Sequence, residues 1–187
     1  MAKIIFIGSS VCVGTGAHND RGWSTLLAER LMSQGHEVSN CSIGGQKTSD
    51  ILLRLERDVI NHAPDICIVG LGLANEGLPK TGDELDARII QGVFLSNLAA
   101  IVNALRRCGI RPVIGGVYPN NKYTPMHYGI LKETQNILNT WDVKVFDWLN
   151  ALDDGCGHFK DGLDHDAGHP NDAGYKVMYD CIPEKLF

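Results

Sequence analysis

Three segments of this chain carry side chains that could catalyse acyl transfer. Ser9 and Ser10 follow the apolar run that opens the sequence, and a hydroxyl placed there serves either as a nucleophile or as a turn and helix cap. Asn75 offers a side-chain amide that could stabilise an oxyanion. Asp166 stands three residues before His169, a spacing at which a carboxylate can orient an imidazole on a single loop.

Glycines accompany these polar groups. Gly44 and Gly45 form a pair, and glycine lets a backbone amide approach a ligand closely, although an ordinary tight turn uses the same residues. Gly168 and Pro170 flank His169, which predicts a loop rather than a helix around the histidine. Taken singly, each of these features also fits an ordinary loop.

The elements that would position these groups alternate between strand and helix. Apolar runs predict strands over residues 4–7, 36–40, 66–71, 112–117 and 143–146. Periodic apolar stripes predict helices that begin at about residues 23, 49, 84, 128 and 173, the last of them running to the C-terminus. This alternation predicts an α/β fold with a parallel sheet covered by helices on both faces. Ligands of such sheets bind at the carboxyl ends of the strands, where the candidate groups fall.

Length, composition and charge narrow the class of protein. The 187 residues suit one compact unit, and we expect a single domain over residues 1–187. Hydrophobic residues make up 44% and charged residues 21% of the chain, which excludes a disordered or coiled-coil protein. The 17 Lys and Arg against 22 Asp and Glu give a net charge of −5. Because no basic run is present to neutralise phosphates, we expect no nucleic-acid partner.

The apolar segments are short. Residues 3–7 are too few for the core of a secretory signal, and no apolar segment approaches the roughly 18 residues that a membrane span requires. We therefore expect no membrane span and a cytoplasmic location, unless a leader has been removed.

The six cysteines are spread along the chain without a Cys-x-x-Cys pair. This distribution predicts reduced thiols, since free cysteine packs as a small hydrophobe. A disulfide between Cys156 and Cys181 remains the alternative.

In chain order the candidate groups read Ser, Gly, Asn and Asp-x-x-His, and in this order the sequence resembles the SGNH hydrolase superfamily of GDSL-like esterases and lipases. The resemblance covers nearly the whole chain, from Ile4 to the last helix. Its most specific part is the block that runs from Asp166 through His169 to Asn171. The resemblance implies a three-layer α/β/α sandwich with a five-stranded parallel sheet of the flavodoxin-like type.

The resemblance also implies a role for each matched residue. Ser10 matches the nucleophile, His169 the general base and Asp166 the third member of the triad. The oxyanion hole would consist of the backbone amides of Ser10 and Gly45 and the side chain of Asn75. Such an enzyme works through an acyl-enzyme intermediate and needs neither a metal nor another cofactor.

Two departures from the family pattern leave alternatives open. The usual Gly-Asp-Ser reads Gly-Ser-Ser, which leaves Ser9 as the alternative to Ser10 and, similarly, Gly44 as the alternative to Gly45. The usual Gly-x-Asn-Asp reads Leu-Ala-Asn-Glu and ends in Glu76.

The expected substrate is an ester with a short acyl group. The loops that would face it are short and no aliphatic run suggests a channel for a lipid tail, so we expect an acetyl ester, on a carbohydrate. A lysophospholipase or thioesterase of the same family is the alternative.

Two rival functions belong to other classes. The hydroxyls and glycines of residues 9–16 could cradle a phosphate in a flavodoxin-like cofactor-binding module, which would leave Asp166 and His169 unexplained. Acidic and histidine side chains crowd the loop near the C-terminus and could bind a metal, although their spacing is not diagnostic. These residues are His158, Asp161, Asp164, His165, Asp166 and His169. The chain contains no Gly-x-Ser-x-Gly elbow, which disfavours the α/β-hydrolase fold.

Overall fold

A single parallel sheet organises the chain, whose computed structural model describes residues 1–184. Its strands are β1 (Lys3–Gly8), β2 (Glu37–Asn40), β3 (Ile66–Gly70), β4 (Arg111–Gly115) and β5 (Lys144–Phe146). The strand order is β2-β1-β3-β4-β5, and every neighbouring pair is parallel. The chain therefore changes direction across the sheet between β1 and β3, and a crevice for ligands forms at such a switch point.

Helices cover both faces of this sheet. The longer ones are α2 (Trp23–Ser33), α3 (Thr48–Asp58), α5 (Glu84–Arg107), α6 (Pro125–Asn139) and α8 (Asp172–Asp180). Three short ones, α1 (Ser10–Val13), α4 (Leu73–Glu76) and α7 (Trp148–Leu152), directly or almost directly follow strands. The α/β/α sandwich expected from the sequence is confirmed.

Alternation along the strands divides the core in two. Ile5 of β1 packs with α3, α5 and α6 on one face. Phe6, its neighbour, packs on the other face with Trp23 of α2, Trp148 of α7 and Tyr175 of α8. Because successive side chains of a strand point to opposite faces, the apolar run of residues 4–7 in β1 can serve both core clusters.

The ends of two helices differ from the sequence prediction, and a third helix was not predicted. Helix α6 begins at Pro125 rather than near residue 128, because Thr124 caps it by accepting a hydrogen bond from the His127 amide at 3.4 Å. Helix α8 ends at Asp180 rather than at the C-terminus, and residues 185–187 lie outside the described residues. The short α7 was not predicted at all.

Helix α5 differs from the expectation that no apolar segment approaches the length of a membrane span. By length and composition it could cross a membrane, although the sequence showed no unbroken apolar run of that length. The difference arises because its apolar residues lie on two faces. Phe94 and Leu98 pack into the core, whereas Leu85, Ile89 and Val93 are exposed. Helices in the core of globular proteins can have the same length and apolar composition.

All six cysteines lie within the described residues and are free. Cys12 and Cys67 are buried, whereas Cys108 and Cys156 are exposed. Burial raises the pKa of the Cys12 thiol to about 12. Within residues 1–184 no disulfide is formed, and Cys156 is not bonded to Cys181.

Candidate active site

Ser10 lies at the carboxyl end of β1, as the first residue of α1. The strand ends in Gly8, where a Cβ would collide with the carbonyl oxygen of Gly70 on β3. Glycine at this position therefore allows the two central strands to end side by side. As the first residue of a helix, Ser10 has no intrahelical acceptor for its amide, and no group in residues 1–184 accepts a hydrogen bond from it.

Ser10 and His169 meet although they lie 159 residues apart in sequence, since the Ser10 Oγ is 2.9 Å from the His169 Nε2. On the other side of the ring, Nδ1 is 2.9 Å from both carboxylate oxygens of Asp166. A proton on Nδ1 that is donated to Asp166 leaves Nε2 free to accept the Ser10 hydroxyl proton. The three side chains therefore form one connected line of hydrogen bonds.

Ser9, the alternative nucleophile, has a different environment. Its side chain is fully buried and lies beside the Tyr118 hydroxyl. The residue precedes α1 in extended conformation, and its amide donates to Gly70 at 3.2 Å. Of the two serines, Ser10 contacts His169.

The loop that carries Asp166 and His169 is rigidified by its own hydrogen bonds. The Asp166 Oδ1 accepts from the amides of Gly168 at 2.8 Å and His169 at 3.0 Å. The Asn171 side chain donates to the carbonyls of Gly162 and Asp164 at 2.8 and 3.1 Å. Partial burial raises the pKa of Asp166, but these amides and the His169 ring outweigh it and hold the pKa below its usual value.

Asn121, in the segment after β4, clamps the same loop from outside. Its amide donates to the carbonyl of Ala167 at 2.7 Å, and its side chain donates to Asp164 at 3.1 Å and accepts from the Phe159 amide at 2.9 Å. Sequence reasoning missed this residue. The signal lay in a polar segment that follows a strand at the candidate edge.

The paired glycines follow β2, and Gly44 approaches Ser10. A Cβ on Gly44 would be 3.8 Å from the Ser10 Cβ. Gly45 has a φ of +77°, in the left-handed region that favours glycine. Neither glycine amide has a hydrogen-bond partner in the described part of the chain, so both remain able to donate to a bound ligand.

Asn75 follows β3 on α4 and faces the glycines' segment. Its Nδ2 donates one hydrogen to the carbonyl of Gln46 at 3.0 Å, which leaves the second hydrogen of that amide available. The neighbouring Glu76 is buried and accepts a hydrogen bond from the Thr48 amide at 2.6 Å, at the beginning of α3. The residue that departs from the family pattern thus ties α4 to α3.

Other histidines have structural partners. His127 is buried, and its ring hydrogen-bonds the Thr124 amide at 3.2 Å and the Thr81 hydroxyl at 3.0 Å. His158 hydrogen-bonds the carbonyl of Tyr123 at 2.9 Å. Within residues 1–184, no three His, Cys, Asp or Glu side chains converge in a way that could hold a metal ion.

A parallel α/β/α sandwich with serine, histidine and aspartate in line at the carboxyl edge defines a serine-hydrolase-like architecture. A model of the GDSL-like Lipase/Acylhydrolase family matches residues 6–177, and the chain belongs to this family. The recognition of the SGNH hydrolase superfamily from the sequence is confirmed.

Two curated relatives match part of the chain. It is 30% identical over 138 residues to the arylesterase of Vibrio mimicus, a match to 68% of this chain and 62% of that protein. It is 27% identical over 126 residues to esterase TesA of Pseudomonas aeruginosa, covering 66% of this chain and 58% of that protein. The chain thus spans about three fifths of the length of these relatives.

Solved structures share the fold over nearly the whole chain. A G-D-S-L family protein from Desulfitobacterium hafniense superposes with a TM-score of 0.77 at 21% identity, covering 100% of both chains. A catalytic mutant of an acetylxylan esterase from Geobacillus stearothermophilus gives 0.73 at 18% identity, covering 99% of this chain and 94% of that one. At these identities the likeness supports the fold.

Proposed function

We propose that this protein is a carboxylic ester hydrolase that works through an acyl-enzyme on Ser10. The observation that carries the proposal is the line of contacts from Ser10 Oγ to His169 Nε2 and from His169 Nδ1 to Asp166, each at 2.9 Å. A serine hydroxyl is a weak nucleophile at neutral pH and needs an adjacent base. Family membership and the names of the two curated relatives support the same reaction class.

The reaction proceeds in two half-reactions. His169 takes the proton from Ser10 as its Oγ attacks the acyl carbon, and the imidazolium then gives that proton to the departing alcohol. In the second half-reaction His169 takes a proton from water as the water attacks the acyl carbon. The acid is released, and the imidazolium gives its proton to Ser10. Asp166 holds the Nδ1 proton and stabilises the imidazolium throughout, a role supported by its lowered pKa, which keeps it ionised.

The oxyanion of each tetrahedral intermediate accepts hydrogen bonds from the amides of Ser10 and Gly45 and from the Asn75 side chain. Each of these groups has a hydrogen without a partner in residues 1–184. One such donor is typically worth about 3 kcal/mol of transition-state stabilisation.

The substrate we propose is a short acyl ester, an acetyl group on a carbohydrate. Helices α1 and α4, which leave the sheet beside Ser10 and Asn75, have four residues each. A Cβ on Gly45 would meet no atom within 4 Å. Both observations favour a shallow site open to a bulky alcohol, with little depth for a long acyl tail.

The first test is p-nitrophenyl acetate hydrolysis by Ser10→Ala, with Ser9→Ala as the matched control. We expect Ser10→Ala to lose turnover with an unchanged circular dichroism spectrum, and Ser9→Ala to remain active. Full turnover by Ser10→Ala would refute the assignment of the nucleophile.

A substrate panel then tests the acyl preference. It compares kcat/KM on p-nitrophenyl esters from acetate to palmitate, on acetylated xylan and on lysophosphatidylcholine. We expect the highest values for acetyl esters. Activity that rises with chain length would replace the proposal with a lysophospholipase or thioesterase.

A further inference from the structure

The segment from Cys41 to Lys47, here called the glycine segment, joins β2 to α3 and carries Gly44 and Gly45. Two backbone hydrogen bonds tie its start to β1, from Cys41 to Phe6 at 2.8 Å and from Ile43 to Gly8 at 3.1 Å. Beyond Ile43 its position depends on side chains from other elements.

Arg54 of α3 reaches both ends of this segment. Its Nη1 donates to the carbonyl of Cys41 at 2.7 Å, and its Nε donates to the side-chain oxygen of Gln46 at 2.6 Å. The Arg54 side chain is only 6% exposed. It therefore lies buried against the glycine segment and links its two ends.

The contact continues to Asn75. The backbone carbonyl of Gln46 accepts the hydrogen bond from Asn75 Nδ2 at 3.0 Å. Arg54 fixes the Gln46 side chain, and Gln46 in turn fixes the orientation of the Asn75 amide. Two of the three proposed oxyanion donors, Gly45 and Asn75, thus share one support.

Stability alone does not account for an arginine at this position. Its Nη2 is buried and has no hydrogen-bond partner within residues 1–184, and an unsatisfied buried donor is destabilising. Asp58 partly offsets the buried charge, since its Oδ2 is 2.7 Å from Arg54 Nη1. A well-packed apolar residue of similar volume is often neutral or better for stability than a buried ion pair.

We propose that Arg54 is a positioning residue for the oxyanion hole, acting through Gln46 on Gly45 and Asn75. The inference rests on the proposed function of the same site. The planar guanidinium holds two acceptors in fixed directions, which the ammonium of lysine cannot reproduce. Because the oxyanion forms only in the transition state, the loss of Arg54 lowers kcat and leaves KM nearly unchanged.

The test compares Arg54→Lys with Arg57→Lys. Arg57 lies on the same helix and binds the same carboxylate, with its Nε 2.5 Å from Asp58, but its side chain is 74% exposed. We expect Arg54→Lys to lower kcat by about 10- to 100-fold, as small misplacements of catalytic groups do, with KM changed less than twofold. Arg57→Lys should retain wild-type kinetics.

Active-site titration and a double mutant separate positioning from folding. With kcat referred to sites titrated by a phosphonate, a normal kcat in Arg54→Lys would overturn the proposal. Arg54→Lys should have a smaller effect on kcat in an Asn75→Ala background than in the wild type, because the Asn75 amide, through which Arg54 acts in part, is already absent there. Effects that multiply in full would also overturn it.

Two further results keep the outcome decisive. If Arg54→Lys does not fold, Gln46→Met removes the acceptor at the end of the segment and should give the same loss of kcat; unchanged kcat would overturn the proposal. Failure of the proposed function has a different signature, namely full activity in Ser10→Ala. An inactive Ser10→Ala together with a normal Arg54→Lys would reject the positioning role alone.

Discussion

The two edges of the sheet differ in how their polar groups are used. At the carboxyl edge, Ser10, Gly45 and Asn75 each carry a hydrogen that has no partner in residues 1–184. At the amino edge, a cavity of about 560 Å³ opens between the starts of β4 and β5, and its Arg106 is already paired with Asp142. Donors without a partner at the carboxyl edge, and not the volume of a cavity, are the basis of the reaction that we propose.

The largest effect should come from the base at the carboxyl edge. We expect His169→Ala to lower kcat/KM on p-nitrophenyl acetate by about 10⁴-fold or more, since loss of a triad base removes nucleophile activation. The measurement is initial-rate kinetics with the variant purified to homogeneity. A loss below tenfold would mean that the edge with unpaired donors is not the reacting edge.

The next effect tests the oxyanion donors. We expect Asn75→Ala to lower kcat by about 10²- to 10³-fold with little change in KM. Asn97→Ala is the matched control, because Asn97 donates a similar side-chain hydrogen bond to Thr48 at 3.0 Å on α3. Equal losses in the two variants would assign Asn75 a structural role only.

The pH dependence of stability offers a smaller contrast, between the paired Asp58 on α3 and the exposed Asp142 at the amino edge. Hydrogen bonds from Arg57 and then Arg54 hold the pKa of Asp58 well below its usual value, against the effect of burial. A carboxylate with a lowered folded-state pKa stabilises the protein above about pH 4 and loses that contribution as the pH falls further. We expect the difference in Tm between wild type and Asp58→Asn to be largest at pH 7 and to shrink below about pH 4.

Asp142→Asn at the amino edge is the companion variant for this experiment. Its side chain is fully exposed beside Arg106, and solvent-exposed ion pairs contribute little to stability. Its Tm should stay close to that of the wild type at every pH. A Tm difference for Asp58→Asn that is constant from pH 7 to pH 3 would contradict the linkage.

The smallest expected effect on activity belongs to the amino edge. Trp141 lines the cavity there together with Arg106 and Lys144. We expect Trp141→Ala to leave kcat/KM on p-nitrophenyl acetate within about twofold of the wild-type value, because Trp141 packs against the core at the amino edge, away from the strand ends that carry Ser10 and Asn75. A tenfold loss would show that the cavity takes part in the reaction and would end the contrast between the edges.

Much of the fold was predictable because its strands are buried on both sides and read as continuous apolar runs, as β1 and β3 do. The short helices were not, because four or five residues carry no periodic stripe. Neither was the membrane-length composition of α5, whose apolar residues occupy two faces.

Some residues of the candidate site could likewise be predicted from the sequence, and others could not. Asp166 and His169 could be proposed from the sequence because their spacing within one loop already suggests a contact. In the structure, 2.9 Å separates His169 Nδ1 from Asp166 Oδ1. The choice between Ser9 and Ser10 needed the direction of each side chain. Arg54 was missed, although it stands three residues after the buried Ile51 and so on the apolar face of α3. A charge in that position is the signal that could have found it.

The assignment of Ser10 as the nucleophile is tested most directly by covalent labelling with a fluorophosphonate, followed by peptide mass spectrometry. We expect a single adduct on Ser10 that forms in parallel with the loss of esterase activity. Labelling should be much slower in His169→Ala, which lacks the base. An adduct on Ser9, or complete inhibition with Ser10 unmodified, would contradict the central claim.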